Sequence, residues 1–432
     1  MATNTIADIV LANSGGNGLE AFDVLLAALQ AADPSGTGLL GAAADPAQDL
    51  TVFAPVDDAF IGLAKVIDPS VTTEAAAIDV IAAASAALSP VYDPTAFLRT
   101  ILSYHISAGA QSKAEVQAAP TIPTLAGLDL EPSGETLIDE EPDLDDAAFV
   151  PGLTDLSADN GVVHVVDKVL LPYDLSFATG GFLNVKAGPD AVIGSAKKDV
   201  IALGEGNDVA NGGDGDDIIR GDDGDDVANG GNGNDLLSGG RGADALAGDD
   251  GKDMLFGRTD DDHLSGGGGK DSLRGGDADD TLFGNAGNDM LIAGRHADTL
   301  IGGSGDDFLF GGKGADKFVF NPNNLGPGNA KLEGNDVVAD FNIAQGDMLV
   351  LDMSTFDQAT LDTLAATDGD TSKLELIDLL TAGAVSLGAS KDGDLLIKHP
   401  SGRIELDGIS AKVDPQVLIP AVAFNFDQDL YA

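Results

Sequence analysis

The 432-residue sequence contains no cysteine, so neither disulfides nor thiolate metal sites can hold this chain together, whatever compartment it occupies. Basic residues are also scarce. The 22 lysines and arginines stand against 72 aspartates and glutamates, which gives a formal net charge of −50. Such a chain would repel a polyphosphate backbone, which excludes nucleic acid as a partner and makes cations the natural ligands.

Long apolar runs are missing as well. No stretch of about 18 consecutive apolar residues occurs. The opening residues, MATNTIADIVLANSGG, lack the basic region and uninterrupted apolar core of a secretory signal peptide. We therefore expect a protein that does not span a membrane and that, if it is exported, uses a route without an amino-terminal signal.

Two common catalytic motifs are absent too. No H-E-x-x-H motif surrounds any of the five histidines, and no G-x-S-x-G motif occurs. The segment GGSGDD, at 302–307, comes nearest to the second motif, but Asp306 stands in place of its final glycine. We expect no enzymatic activity.

Composition divides the chain into parts. Residues 1–172 are rich in alanine, leucine and valine, with mixed helix and strand patterns. Residues 194–319 hold 32 of the 57 glycines, and residues 320–432 return to alternating apolar patterns. The stretch 173–193 between the first two parts is predicted to be a linker.

The glycine-rich part is a repeat with a period of nine residues. Its in-phase aspartates are Asp199, Asp208, Asp217, Asp226, Asp235, Asp244, Asp253, Asp262, Asp271, Asp280, Asp289, Asp298, Asp307 and Asp316. Two residues after each aspartate stands a mostly large apolar residue, such as Leu237 or Leu255. The repeat therefore reads G-G-x-G-x-D-x-U-x, where U is apolar.

Each position of the repeat has a physical role. A three-residue x-U-x strand points its middle side chain toward a shared interior. The glycines permit positive-φ turns that aim carbonyl oxygens inward, so that each turn forms an oxygen-lined cup closed by an aspartate. Such ligands suit calcium, and the thin core, which serves 27 acidic and 11 basic residues, should fold only when the ions are bound. We expect several calcium ions, held by Asp208, Asp217, Asp226, Asp235, Asp244, Asp253, Asp262, Asp271, Asp280, Asp289, Asp298, Asp307 and Asp316.

Residues 194–319 thus resemble the RTX (repeats-in-toxin) proteins, whose calcium-binding signature is this nonapeptide. The resemblance implies a parallel β-roll that binds calcium outside the cell. It also implies export by a type I secretion system, which reads an uncleaved carboxy-terminal signal.

Residues 4–172 resemble the fasciclin domain. Three stretches carry the resemblance, in this order: TVFAPVDDAF (51–60), FLRTILSYHISAG (97–109) and NGVVHVVDKVLLP (160–172). The first indicates a strand, a proline break and a helix capped by Asp57 or Asp58. The resemblance implies a compact α/β fold, with a β-wedge flanked by helices, and membership of a group of extracellular adhesion modules.

Adhesion candidates follow from the same resemblance. In fasciclin domains the region that corresponds to Tyr104 and His105 has been linked to cell attachment, which makes these two residues the candidates here. The alternative is a structural role, because His105 falls on the apolar helical face of Leu98 and Ile101.

The last part of the chain contains two stretches that each indicate a strand, a turn and a strand, at 335–352 and 394–409. A stack of repeats has an open end that needs a cover, and we expect residues 320–432 to supply a mostly β cap. The resemblance to RTX proteins places a secretion signal in the final fifty or so residues, which end in AVAFNFDQDLYA.

The repeats are not uniform. The fourth repeat position is glycine in most repeats, but it is Asp260, Ala278 and His296 in three that alternate along the chain. Because successive repeats lie on opposite edges of a roll, all three departures fall on one edge, where Arg258 and Ala293 also replace glycines. We expect this edge to bind calcium weakly around Asp262, Asp280 and Asp298, and the other edge to be filled continuously.

These observations favour a secreted, calcium-binding surface or matrix protein. The fasciclin part would mediate adhesion, through a protein, a glycan or a second copy of the chain, and the β-roll would fold after export. The alternative is a structural protein that assembles itself into a surface layer or filament.

Overall fold

The computed structural model of the chain describes residues 5–13, 22–32, 38–89, 95–139, 146–178, 180–185, 187–320, 334–352, 386–389, 394–399, 402–410 and 422–425. The chain divides into two compact units, Met1–Ser176 with Gly188–Ala191, and Phe177–Ala187 with Val192–Ala432. Within the described residues, no helix combines the length and the apolar character that a membrane crossing requires.

Helices and short strands build the first unit. Its helices are α1 (Ile6–Asn13), α2 (Asp23–Ala32), α3 (Leu39–Ala44), α4 (Asp57–Ile67), α5 (Glu74–Ala87), α6 (Ala96–Tyr104) and α7 (Lys113–Ala118). Its strands are β1 (Leu50–Pro55), β2 (Ile106–Ala108), β3 (Ile122–Pro123), β4 (Asp129–Ser133), β5 (Thr136–Ile138), β6 (Ala147–Ala148), β7 (Leu156–Ala158) and β8 (Gly161–Val166).

Two four-stranded sheets organise this unit. The first has the order β2-β1-β8-β7, with β1 parallel to β8 and antiparallel to β2. The second has the order β3-β4-β5-β6 and is antiparallel. β1 is buried along its whole length, as expected for an apolar strand that lies inside a mixed sheet. The α/β fold expected of a fasciclin domain is confirmed.

The start of α4 differs from the prediction. Its N-cap is Val56, which makes no side-chain capping hydrogen bond, and Asp57 is the first helical residue. The Asp57 carboxylate instead accepts a hydrogen bond from the backbone N–H of Val24, at 2.9 Å. The aspartate therefore joins two helices in the core rather than capping its own, a long-range contact that a local sequence pattern cannot reveal.

From residue 174 onward the chain forms a stack of strands, which belongs to the second unit except for residues 174–176 and 190–191. The strands from residue 174 onward are β9 (Asp174–Phe177), β10 (Gly181–Asn184), β11 (Asp190–Ser195), β12 (Asp199–Glu205), β13 (Val209–Asp214), β14 (Ile218–Asp223), β15 (Val227–Gly233), β16 (Leu236–Arg241), β17 (Ala245–Gly251), β18 (Met254–Thr259), β19 (His263–Gly269), β20 (Ser272–Asp277), β21 (Thr281–Gly287), β22 (Met290–Arg295), β23 (Thr299–Ser304), β24 (Phe308–Lys313), β25 (Lys317–Phe320), β26 (Gly334–Val338), β27 (Met348–Asp352), β28 (Ser386–Ala389), β29 (Asp394–His399), β30 (Gly402–Ser410) and β31 (Val422–Asn425).

These strands form a parallel β-solenoid of about eight turns over the repeat region, which confirms the β-roll. Even-numbered strands from β10 to β24 form one sheet and odd-numbered strands from β9 to β25 form the other. Each strand pairs with the strand two places along the chain, so Leu237 lies beside Leu255 and Leu255 beside Leu273. One turn of the roll therefore contains two repeats, or 18 residues.

The interior holds one apolar side chain from each repeat. The U-position residues form a single buried row with residues at both ends of the stack. The strands are longer than the three residues expected, typically six or seven, because the first glycines of the next repeat also pair with the neighbouring turn. The glycine turns are thus shorter than the sequence pattern suggested.

The stack begins before residue 194. Residues 173–193, for which the composition predicts a linker, contain β9, β10 and the first part of β11. β10 pairs in parallel with β12, and it places Leu183 against the buried row. A short apolar strand outside the nine-residue phase can still pair with the first turn of a roll, which composition alone does not detect.

The carboxy-terminal strands continue the same two sheets. β26 pairs with β24 and β27 pairs with β25, so the stretch 335–352 is not the predicted hairpin but crosses from one sheet to the other as a repeat does. The second stretch is a hairpin, with β29 antiparallel to β30. Residues of β26, β27, β29 and β30 extend the buried apolar row of the roll. The final fifty or so residues, where the secretion signal is predicted, contain β28 to β31, and the rest of that segment lies outside the described residues.

The first unit has an apolar core of its own, built from residues such as Phe53, Leu130 and Leu170. We therefore expect a fragment comprising residues 1–172 to fold without a metal ion. Its melting temperature, followed by circular dichroism, should be the same in calcium and in chelator. A melting temperature that rises with calcium would contradict an independent core.

Candidate metal centre

The repeat aspartates lie in the loops that connect the two sheets of the roll. Loops that lead from an even-numbered to an odd-numbered strand form what we call the first edge, and loops that lead the other way form the second edge. The first edge carries Asp208, Asp226, Asp244, Asp262, Asp280, Asp298 and Asp316. The second edge carries Asp217, Asp235, Asp253, Asp271, Asp289 and Asp307. All thirteen predicted ligands are buried.

Each aspartate on an edge is hydrogen-bonded to the next one. The backbone N–H of Asp217 donates to Oδ1 of Asp235 at 2.7 Å, and the N–H of Asp226 donates to Oδ1 of Asp244 at 2.9 Å. The same contact repeats every 18 residues along both edges. This hydrogen bond fixes the rotamer of each carboxylate. It uses Oδ1 and leaves Oδ2 outside the contact.

That other oxygen is buried and makes no hydrogen bond in twelve consecutive repeats. The atoms are Oδ2 of Asp217, Asp226, Asp235, Asp244, Asp253, Asp262, Asp271, Asp280, Asp289, Asp298, Asp307 and Asp316. A buried carboxylate oxygen without a partner is strongly unfavourable, so a regular row of them calls for a ligand. The unpaired atoms are carboxylate oxygens, which carry negative charge. The expected ligand is therefore a cation.

The ends of the two rows differ from the middle. Asp199 accepts hydrogen bonds on both oxygens, from the N–H of Gly180 and from the N–H and hydroxyl of Ser195. Asp347, which continues the first edge beyond Asp316, also has both oxygens bonded, to the N–H groups of Asp316 and Asn342. Protein groups therefore satisfy both oxygens of Asp199 and Asp347, whereas the inner carboxylates each keep one oxygen for an ion.

Glycine at the first repeat position keeps space open beside the unpaired oxygen. A Cβ atom built on Gly212 would lie 2.5 Å from Oδ2 of Asp217 and 2.6 Å from the carbonyl oxygen of Gly230. Both oxygens therefore border the space that the missing side chain leaves. A carboxylate oxygen and a carbonyl oxygen around one small space are the ligand types that calcium prefers.

Burial changes the acidity of these carboxyl groups. Desolvation raises the pKa of Asp226, Asp262 and Asp298 to about 8, and that of Asp235, Asp280, Asp307 and Asp316 to about 6. Neighbouring carboxylates along the same edge add repulsion in most of them. A divalent cation would neutralise this charge, and that is the chemistry calcium supplies here.

Side chains alone do not define these sites. Among the described residues, no group of three or more histidine, cysteine, aspartate or glutamate side chains is placed to share one ion. The donor set is instead one carboxylate per repeat together with backbone carbonyls. This set lacks the cysteine and histidine ligands typical of zinc sites, and it agrees with the calcium binding known for RTX repeats.

The nonuniform repeats keep the backbone conformation of glycine. At the fourth position Asp260 has φ 76°, Ala278 has φ 100° and His296 has φ 79°, all in the left-handed region. Aspartate and histidine enter this region at modest cost, but alanine does not. Two of these side chains also bind the preceding turn, because Asp260 accepts from the N–H of Gly242 and His296 Nδ1 accepts from the N–H of Ala278.

The second repeat position shows departures that the sequence analysis left out. Asp249 (φ 69°) and Asn285 (φ 71°) take positive φ on the second edge, and Asp222 (φ 77°) does so on the first. The second edge is therefore complete in glycine at the first and fourth positions but not at the second. Asparagine and aspartate tolerate this conformation, so these three positions are less strained than Arg258, at φ 96°.

Two further aspartates prolong the edges. The N–H of Asp307 donates to Asp336 at 3.0 Å, and that of Asp316 donates to Asp347 at 3.2 Å. Both stand outside the nine-residue phase, so the period alone does not predict them. The signal was present nevertheless, since each is followed two residues later by a buried apolar residue, Val338 or Leu349.

The adhesion candidates in the first unit are core residues. Tyr104 is fully buried, and its hydroxyl donates to the carbonyl of Asp129 at 3.1 Å. His105 is 2% exposed. Its Nε2 accepts from the N–H of Leu170, so its proton lies on Nδ1 and is donated to the carbonyl of Ile101. Burial lowers the pKa of His105 to about 4. Direct contact between these side chains and a partner does not fit their positions.

Ala293 offers a test of the difference between the edges. It is the only non-glycine at the first repeat position from residue 212 to 311, and its methyl group is buried where other repeats leave space beside the aspartate. We expect Ala293→Gly to increase calcium occupancy near Asp298, measured by anomalous scattering. The parent protein should show weaker occupancy around Asp262, Asp280 and Asp298 than along the second edge.

Ala297→Gly provides the matched control, because it removes an exposed methyl group from the same loop. Equal calcium occupancy along both edges of the parent protein would contradict the asymmetry. An Ala293→Gly variant with unchanged occupancy would remove the methyl group as its cause.

Comparison with known proteins gives two family matches. The fasciclin domain matches residues 21–172. The RTX calcium-binding nonapeptide repeat matches the segments 193–228, 220–255, 229–264, 256–291 and 292–321. Both families are non-enzymatic.

Individual proteins are similar to parts of the chain. Protein sll1483 from Synechocystis sp. is 33% identical over 171 residues, which make up 40% of this chain and 77% of that protein. Among solved structures, the extracellular lipase LipA from Serratia marcescens is 21% identical with a TM-score of 0.24, over 56% of this chain and 42% of the lipase. The chain thus spans less than half of that lipase. Through residues 21–172 this chain belongs to the fasciclin family, and residues 193–321 add RTX calcium-binding repeats to it.

Proposed function

We propose that this protein is a secreted adhesion protein of a cell surface or extracellular matrix, in which calcium folds the roll after export. The observation that carries the calcium step is the double row of buried Oδ2 atoms, one in each of twelve successive repeats. Folding brings these carboxylates together and buries them, and an ion at each position neutralises the charge that would otherwise oppose it. Calcium binding and folding are therefore one process.

The calcium gradient across the membrane gives this process its direction. Extracellular modules of this kind bind calcium with dissociation constants of about 10⁻⁴ to 10⁻³ M, well above the concentration inside a cell. Inside, the acidic repeats would stay unfolded through mutual repulsion, and an extended chain suits passage through a type I secretion channel. Outside, calcium would fold the same segment.

We expect removal of calcium near pH 8 to abolish most of the strand signal that the roll contributes to the far-UV circular dichroism of the full chain, and calcium to restore it cooperatively. Acidification should partly replace calcium. A carboxyl group whose pKa is higher in the folded state than its ordinary value of 3.8 binds its proton first in the fold. The metal-free fold is therefore stabilised as pH falls from about 8 toward the ordinary value of 3.8, and it loses that stability as pH rises through the folded-state pKa values of about 6 and about 8.

Magnesium is the control for the calcium titration, because it requires a more rigid coordination geometry and should restore little strand signal. A chelated roll that keeps its full strand signal at pH 8 would contradict the coupling. A metal-free roll that loses strand signal on mild acidification would contradict the assigned direction of the pKa shifts.

The fasciclin unit supports the adhesion part of the proposal, since its family includes extracellular adhesion modules and is non-enzymatic. Because Tyr104 and His105 are buried, the contact surface must lie elsewhere on the unit. We expect beads coated with the full chain to attach to cells in calcium, and beads coated with residues 1–172 to attach with or without it.

Electron microscopy in calcium separates adhesion from the structural alternative. Dispersed particles together with attachment of the coated beads support adhesion. Regular sheets or filaments, with no attachment by residues 1–172, would replace adhesion with self-assembly.

A further inference from the structure

One outer face of the roll carries a groove that calcium binding does not use. It has a volume of about 840 Å³ and crosses four successive turns on the sheet of even-numbered strands, β18 to β24. One wall is a row of residues at the ninth repeat position, each beside the next in register: Phe256, Arg274, Ile292 and Phe310. The opposite wall contains Asp277, Arg295 and Lys313, at the third position.

Glycine creates the depth of this groove. Gly276, Gly294 and Gly312 lie between the two walls and have no side chain to fill the space. Neighbouring strands are about 4.8 Å apart, so four turns give a groove about 14 Å long that runs across the strands. We call it the cationic groove.

The charge of the groove opposes the charge of the protein. Arg258, Arg274, Arg295 and Lys313 line it, whereas the whole chain has a net charge of −50. Arg295 is paired with Asp277 at 3.0 Å. Arg274 and Lys313 are exposed and form no ion pair within the described part of the chain. Two cations are therefore available to an incoming anion.

Apolar rings lie among these cations. The guanidinium of Arg258 is 5.7 Å from the centre of the Phe256 ring, and Phe310 is 38% exposed at the other end of the same wall. Met254 on β18 and Met290 on β22 add exposed apolar surface on the same strands, outside the lining of the groove. A ligand that fits this groove needs both anionic groups and apolar faces.

The opposite sheet shows that the fold does not require this lining. A corresponding groove of about 520 Å³ on the odd-numbered strands is also floored by glycines, among them Gly213 and Gly231. Its side chains include Asp214, Asp249 and Asp250, and no lysine or arginine lines it. The same backbone therefore supports an acidic groove on one face and a cationic groove on the other.

We propose that the cationic groove binds an acidic polysaccharide, a chain of sugars that carry carboxylates. Carboxylates would contact Arg274 and Lys313, and the apolar faces of the sugar rings would lie against Phe256 and Phe310. The linear shape of the groove fits a chain, and the wide spacing of charge on such a glycan limits repulsion by the rest of the protein.

Other polyanions fit less well. Nucleic acid has one phosphate charge per about 1.7 Å of duplex, which brings far more repulsion from a protein of this charge. An extended acidic peptide is usually bound by adding a strand to a sheet edge. No such edge is available at the groove, because β18, β20 and β22 each pair with a strand on both sides.

The test uses the full chain at about 1 mM calcium, so that the roll is folded. The probe is an oligogalacturonate, and its fully methyl-esterified form is the uncharged comparison. We expect calorimetry to detect the acid form and not the ester. Arg274→Gln and Lys313→Gln should each weaken binding by about fivefold to tenfold, since each removes one charge-assisted contact.

Arg220→Gln and Arg241→Gln are the matched controls. They occupy the same repeat positions as Arg274 and Lys313 on the same sheet, outside the groove, and should leave the affinity unchanged. All four side chains are exposed, and circular dichroism in calcium would verify that each variant folds.

Several results would overturn the proposal. One is that the acid oligomer fails to bind in calcium although circular dichroism shows a folded roll. Others are that the ester binds as tightly as the acid, or that the control variants lose as much affinity as Arg274→Gln and Lys313→Gln. Tighter binding of a glutamate oligopeptide with the same sensitivity to Arg274→Gln would reassign the groove to an acidic peptide. Because folding is measured separately, failure of the groove is distinguishable from failure of calcium-dependent folding.

Discussion

The roll depends on how each repeat aspartate divides its two carboxylate oxygens. Oδ1 accepts the backbone N–H of the aspartate one turn earlier, which fixes the carboxylate and joins adjacent turns. Oδ2 is thereby buried and left without a protein partner. The contact that builds the stack therefore also creates its instability, because it brings anionic groups within about 4.8 Å of one another away from water. A cation binds the unpaired oxygen and also offsets the repulsion between neighbouring carboxylates. The ion is therefore part of the fold.

The two units of the chain are stabilised in different ways. The fasciclin unit buries large side chains such as Phe53, Phe60 and Tyr104, and its buried histidines are neutral and hydrogen-bonded to the backbone. The roll contributes about one inward apolar side chain per nine residues, and aspartates are buried alongside it. Hydrophobic burial can therefore be the main source of stability in the first unit, but it is not sufficient in the roll.

The sequence predicted most of the roll because a single period governs it. A phase of nine residues identified every inner aspartate and the apolar row, and two repeats per turn placed Asp260, Ala278 and His296 on one edge. Where the period breaks, prediction failed: Asp336 and Asp347 continue the edges after insertions of different length. The role of Asp57 was equally hidden, because its partner Val24 lies in another helix. The cationic groove was missed because its walls are residues 18 apart, a spacing that has meaning only once the strands are stacked.

Inward and outward positions of the repeat have different roles, which explains how one short motif can support several functions. Inward positions are constrained, since the first must leave space for an ion, the sixth must be aspartate and the eighth must fill the core. Outward positions, the third, seventh and ninth, carry no such constraint, and there the two faces differ in charge. Because neighbouring turns are in register, a substitution at one outward position lies next to its counterpart in the following turn. A few substitutions 18 residues apart are therefore enough to line a continuous groove, while the rows of aspartates along the two edges keep their geometry.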